Sequence, residues 1–113
     1  MSIKTEDYQI TLSEDKKSIH ISGVLRLQSP ASYEEPFQYI KDGLVSSSDV
    51  FTIDISELQF LNSSGVSSLA RLILFARSSD KEIKMICNSD TPWQKKTISS
   101  LIKLYDKLDI HYL

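Results

Sequence analysis

The sequence is short of cysteine, histidine and glycine, and those shortages exclude much chemistry before any motif is sought. Cys87 is the only cysteine, so no internal disulfide can close and no cysteine-based metal site can form. It ends the apolar run Ile83-Lys84-Met85-Ile86-Cys87, where a small buried hydrophobe is expected. A lone thiol also fits a reducing compartment. With three glycines in all, a loop cradling nucleotide phosphates would be hard to build. The two histidines, His20 and His111, adjoin no obvious nucleophile, and neither forms a carboxylate cluster with metal-ligand spacing. The chain therefore reads as a binding domain without cofactor or metal, not as an enzyme.

An excess of charge of one sign is also lacking. Thirteen Lys and Arg stand against 15 Asp and Glu, a net charge of −2. The basic residues are scattered, with only the pairs Lys16–Lys17 and Lys95–Lys96 adjacent. A nucleic-acid partner would call for a clustered basic footprint, so none is expected. No apolar run approaches membrane-spanning length, and the segment Met1–Asp7 is polar and acidic, unlike a secretory signal. These features lead to the expectation of a cytoplasmic protein that does not insert into a membrane.

What is present suits one small globular domain spanning residues 1–113: 41% hydrophobic and 25% charged residues, enough for a core without staples. Strand-like and helix-like segments alternate. Tyr8, Ile10 and Leu12 alternate with polar residues, as do Ile19, Ile21, Leu25 and Leu27 beyond the polar turn Ser13–Lys17, predicting a hairpin. Gly23 inside its second strand points to a bulge or a close backbone approach. Ser32 and Glu35 have capping-box spacing ahead of an amphipathic stretch with Tyr33, Phe37, Ile40 and Leu44. Pro36 falls in its first turn, and Gly43 with Ser46–Asp49 closes it. Val50–Ile55 is β-branched and nearly continuous, as in a strand covered on both faces. A short turn, Ser56–Leu61, leads to a helix from near Asn62 to about Arg77. Glu82–Cys87 is a further buried strand. Thr91-Pro92 opens a third helix, with Trp93, Thr97, Ile98, Leu101, Leu104, Tyr105 and Leu108 on one face. Ile110–Leu113 adds a possible edge strand. The order predicts an α/β fold: a mixed sheet, parallel at its centre, with an antiparallel edge hairpin and about three helices.

The most informative segment is the passage from strand to helix through Asn62-Ser63-Ser64-Gly65-Val66. Asn62 or Ser63 can cap the helix by accepting a backbone N–H bond, worth about 1 kcal/mol. Gly65 allows something to approach the backbone closely. On a helical wheel the core face holds Val66, Leu69, Ala70, Ile73 and Ala76. The opposite face stacks Ser64, Ser68, Arg71 and Phe75, flanked by Ser67 and Leu74. Arg and aromatic anchors on an outward face mark protein contact sites; the alternative is that Phe75 tucks under a neighbouring helix.

The strand, the turn, Asn62-Ser63-Ser64-Gly65-Val66 and the helix after it resemble the Asp-Ser-Ser/Thr-Gly-Leu signature of STAS domains, the anti-sigma-factor antagonists. The similarity runs from the hairpin with Gly23 to the closing Leu-Tyr-Asp-Lys-Leu. The resemblance implies a STAS-like fold and a phosphorylation-controlled, protein-binding switch in a partner-switching circuit of transcription regulation. It implies a serine kinase of the anti-sigma type and an opposing serine phosphatase as partners. Ser63 matches the phosphorylated position, with Ser64 the next candidate, and Asn62 stands where the family carries Asp. Asn62, Ser64, Gly65, Ser68, Arg71, Leu74 and Phe75 then form the partner-binding set. A non-switching accessory subunit of a lipid or anion transporter is the alternative.

Overall fold

The computed structural model describes residues 2–113; Met1, the first residue of the expected 1–113 domain and of the acidic opening segment, lies outside them. Six strands form one sheet in the order β1-β2-β3-β4-β5-β6: β1 (Ser2–Lys4), β2 (Tyr8–Leu12), β3 (Ser18–Leu25), β4 (Phe51–Leu61), β5 (Ile83–Cys87) and β6 (Leu108–Tyr112). The first two pairings are antiparallel and the remaining three parallel. The helices α1 (Glu34–Ser46), α2 (Ser63–Ser78) and α3 (Pro92–Leu101) make the parallel crossovers. Each crossover steps one place in the same direction. Right-handed connections therefore put all three helices on one face of the sheet.

One-sided covering explains the strand burial. Phe51, Ile53 and Ile55 are fully buried while Thr52 and Asp54 between them are half-exposed. Ile83, Met85 and Cys87 likewise alternate with half-exposed Lys84 and Ile86. The expectation of strands covered on both faces is thus corrected: β-branched residues on the open face mimic a buried run. Across that face Thr11, His20, Asp54, Ile86 and His111 lie in register. His20 pairs with Glu57 at 2.8 Å and His111 with Asp109 at 2.9 Å.

The opening hairpin is a three-stranded meander, because the polar opening segment supplies β1. Only Ile3 of that strand packs on the core, too little apolar pattern to read. Gly23 is the bulge: its φ is +92°, and a Cβ there would lie 2.3 Å from the Asp7 carbonyl oxygen. The Ser32/Glu35 capping box does not form. Ser29 caps a short 3-10 turn (Pro30–Tyr33), its hydroxyl accepting from the Ser32 N–H, and α1 begins after Tyr33 with no side-chain cap. Gly43 lies buried inside α1, which continues to Ser46. The helix α3 stops at Leu101 and passes through a 3-10 turn (Ile102–Leu104), so Leu108 belongs to a strand instead of the helix face.

The supposed turn Ser56–Leu61 is the second half of β4. It pairs with β3 as far as Leu61, whereas β5 pairs only with Phe51–Asp54. The edge thereby left open is closed by α3. The fully buried Gln94 donates to the Ile55 and Leu58 carbonyls at 2.6 and 2.9 Å and accepts from the Asn88 N–H at 2.8 Å. Trp93 Nε1 also donates to the Leu58 carbonyl at 3.2 Å. A buried carbonyl without a donor costs about 1–3 kcal/mol.

Gln94→Leu should therefore lower the unfolding free energy by about 2–4 kcal/mol, the loss of more than one such bond, read as a shifted urea midpoint with unchanged slope. Cys87 is fully buried, and burial pushes its thiol up to about 11 from an ordinary 9.0. An alkylating reagent should label it only on unfolding. Because the folded thiol holds its proton longer, this group's stability contribution should be complete below pH 9.0 and fall as pH rises towards 11.

Candidate functional site

The candidate site is built around Asn62, where β4 passes into α2. The Asn62 N–H donates to the Leu25 carbonyl at 3.2 Å. Its Oδ1 caps α2 by accepting from the Gly65 N–H at 3.0 Å. The same oxygen accepts from the Tyr33 hydroxyl at 2.5 Å, and Nδ2 donates to the Leu27 carbonyl at 2.8 Å. Tyr33 is fully buried and accepts in turn from the Leu27 N–H at 3.3 Å. Burial holds its phenol above the ordinary range, which keeps it a donor. Asn62 is half-buried and bonded internally at both ends of its amide.

This geometry accounts for asparagine at the position. A carboxylate could still cap α2 and accept from Tyr33. It would, however, set a second oxygen against the Leu27 carbonyl, where the amide now donates.

Gly65 is buried, and a Cβ on it would meet Leu61 Cδ1 at 2.3 Å and the Tyr33 hydroxyl at 2.9 Å. The close approach expected at Gly65 is thus made by the protein's own core. Space for a partner is not what that glycine supplies.

Ser63 is the first residue of α2 and is exposed. The N–H groups of Ser63 and Ser64 precede the first intrahelical bond, as at any helix start. Ser64 is half-buried, and its carbonyl accepts from the Ser68 hydroxyl at 3.1 Å.

The outward face of α2 is rotated from the expected one. Ser68 is 5% exposed, and Phe75 is half-buried. Together with Arg71 and Leu72 they line a groove of about 300 Å³ against α1, walled by Phe37 and Lys41. Lys41 Nζ lies 4.2 Å from the Phe75 ring centre, and an Arg71 Nη donates to Ser68 at 3.3 Å. The expected stripe Ser64, Ser68, Arg71, Phe75 therefore borders the neighbouring helix, as the alternative reading of Phe75 had it. Of the assumed core face, Leu69, Ile73 and Ala76 are buried but Val66 and Ala70 only partly so. Leu72 takes their place in the core. The exposed line down α2 is Ser63, Ser67, Arg71, Leu74 and Ser78. Leu74 is 40% exposed, a large apolar side chain in solvent. The structure thus puts Ser63, Arg71 and Leu74 on one open face, over about 16 Å of helix at 1.5 Å per residue. It sets Asn62, Gly65 and Ser68 inside.

Two residues that matter here escaped the sequence reading. Tyr33 has the spacing of a helix-face residue, yet its hydroxyl joins the β3 exit to the α2 start. Gln94 belongs to no pattern in the sequence; a glutamine beside the only tryptophan, two places after a helix-opening proline, is a faint signal.

No known family profile matches the sequence, and no curated protein matches it. Solved structures do share its fold. The chain is similar to SiaC of Pseudomonas aeruginosa. In the crystal structure of diguanylate cyclase SiaD in complex with its activator SiaC the match has a TM-score of 0.75 at 9% identity, covering 100% of this chain and 99% of that one. Apo-SiaC matches with a TM-score of 0.71 at 9% identity over 99% and 98% of the two chains. A further SiaC structure gives 0.74 at 9% identity over 100% and 98%. At that identity the likeness speaks to the fold: a single α/β domain with a six-stranded mixed sheet and three helices. Among the described residues no helix is long and apolar enough to cross a membrane.

Asn62→Asp should destabilise the protein by about 1–3 kcal/mol at neutral pH through the unpaired Leu27 carbonyl. The deficit should shrink on acidification, because a protonated carboxyl can donate where the amide did. Chemical denaturation of both proteins across a pH series measures it.

Proposed function

We propose that the chain is a protein-binding regulatory switch, without catalysis of its own, whose docking face is the exposed line of α2 and whose control point is the Ser63 hydroxyl. The observation that carries this reading is the position of Ser63: exposed, at the first position of a capped helix, and in line with Arg71 and Leu74. A phosphate there adds about −1.5 to −2 charges. The helix start tolerates an anion, since its free N–H groups and dipole favour negative charge by about 0.3–1 kcal/mol. The fold survives while the docking face changes sign.

In this reading the partner is a protein of the anti-sigma type that phosphorylates Ser63, with a serine phosphatase restoring the binding form, and the output is transcription. The STAS-like signature supports that version. A second version keeps the switch and replaces the partner by an enzyme that the unmodified form activates. The observation favouring it is the shared fold with SiaC, which is the activator of a diguanylate cyclase. The transporter-accessory alternative drew its force from Asn62 in place of Asp, and the bond from Asn62 to the Leu27 carbonyl gives that residue a structural reason instead.

Mass spectrometry of the protein isolated from its own cells should find one phosphate, on Ser63, and none in Ser63→Ala. Ser63→Asp should keep wild-type stability or gain slightly, while its affinity for the partner falls at least tenfold, about 1.4 kcal/mol. Arg71→Ala and Leu74→Ala should weaken the partner without unfolding the domain. Equal partner affinity of Ser63→Asp and wild type would sink the switch.

A further inference from the structure

The two edges of the sheet differ. β1 is three residues long and carries Lys4, which is how natural edges are blunted. β6 has no proline, no lysine and no bulge: Leu108-Asp109-Ile110-His111-Tyr112. In a parallel ladder, alternate residues turn their backbone groups to one neighbour. The Ile83 N–H donates to the Lys107 carbonyl at 3.2 Å, and the Leu113 N–H to the Cys87 carbonyl at 2.8 Å. Lys107, Asp109, His111 and Leu113 therefore face β5, and Leu108, Ile110 and Tyr112 face outward. The Leu108 N–H donates to the Tyr105 carbonyl at 3.2 Å. The Leu108 carbonyl and both backbone groups of Ile110 and Tyr112 form the open edge.

That edge is complementary to itself. With an antiparallel copy related by a two-fold axis at Ile110, Ile110 meets Ile110 of the second copy and Leu108 meets its Tyr112. These are the outward residues, so they fall at hydrogen-bonded positions. The Ile110 pair exchanges its N–H and carbonyl groups, and each Tyr112 N–H donates to the Leu108 carbonyl opposite. Between them Asp109 meets His111 of the second copy at non-hydrogen-bonded positions, where Cα atoms come within about 4.5 Å and side chains are nearest. Asp109 and His111 already pair at 2.9 Å within the chain; across the axis the four groups alternate donor and carboxylate. A two-fold axis at Asp109 or at His111 would oppose like groups and put inward-facing residues at the junction. Tyr112 and Leu113, 44% and 74% exposed, gain a neighbour in the Ile110-centred arrangement.

We infer that two copies of this chain associate by antiparallel pairing of their β6 edges, joining two six-stranded sheets into one. A closed two-fold contact of this kind uses the same patch on both copies and stops at two. No residue of α2 takes part, so each copy keeps its Ser63 face open and the pair is bivalent. The inference stands whether or not Ser63 is a switch.

Sedimentation equilibrium over a concentration series tests it. The full chain should fit a monomer–dimer equilibrium. Ile110→Lys, which brings two cations together on the axis, should weaken it at least tenfold. Asp109 and His111 are exposed, so changing them spares the core. Asp109→His alone and His111→Asp alone should each weaken the dimer by opposing like groups, and the double exchange should restore it. Far-ultraviolet circular dichroism of each variant confirms the fold. A wild type that stays monomeric throughout, or a dimer indifferent to both Ile110→Lys and the charge exchange, overturns the proposal.

Discussion

The side chain of Asn62 joins three pieces of chain at one place. Its oxygen meets the start of α2 and the Tyr33 hydroxyl, and its nitrogen meets the segment leaving β3. Each such bond contributes about 0.5–1.5 kcal/mol net, but removing one partner in a half-buried site costs more than the bond itself. The consequence is positional. With Asn62 tied on both ends and Gly65 wedged against Leu61 and Tyr33, the first of the two serines between them is left on the solvent side. Ser63 faces solvent because its neighbours are fully committed inward.

The same economy shapes the rest of the sheet's carboxyl end. There β4 outruns β5 and would leave carbonyls without donors in a region the helices cover. One glutamine amide closes that gap, taking two carbonyls with its nitrogen and one N–H with its oxygen. Strand ends of this kind are where α/β domains hold their functional groups. Here the amides at 62 and 94 occupy the interior of that end, and what remains outside is the exposed line of α2.

Much of the fold was readable because its signals are periodic. Ile19 and Ile21, the β-branched run at 51–55 and the signature helix repeat at the spacing of their elements. What escaped was set by neighbours. The wheel of α2 gave relative angles correctly, but serine and arginine are indifferent about facing water or another helix. Leu72, apolar and placed on neither face by the wheel, is the residue that turns it towards α1. The box at Ser32/Glu35 had the right spacing and lost to Ser29, whose hydroxyl caps a 3-10 turn that begins earlier. Half-exposed β-branched residues on an uncovered sheet face cannot be told from buried ones by composition, which is why β4 read as covered on both sides. The Asn62 cap was legible from residue type. Its bond to Leu27, from 35 residues away, was not.

A modification at Ser63 would act by exclusion, not by refolding. The nearest cation on its face is Arg71, eight residues on, about 12 Å along the helix axis at 1.5 Å per residue, and its guanidinium is drawn towards Ser68 and the α1 groove. Lys41 lies over Phe75 in the same groove. Arg71 and Lys41 are thus both engaged at that groove and not at the helix start. The free N–H groups there can solvate a phosphate, but its charge remains directed outward, into whatever docks on the line of Leu74 and Arg71. A partner without its own cation at that point must strip water from the phosphate with nothing in return, a loss of several kcal/mol. Such a penalty lowers affinity by orders of magnitude, and it needs no movement of the domain that carries it.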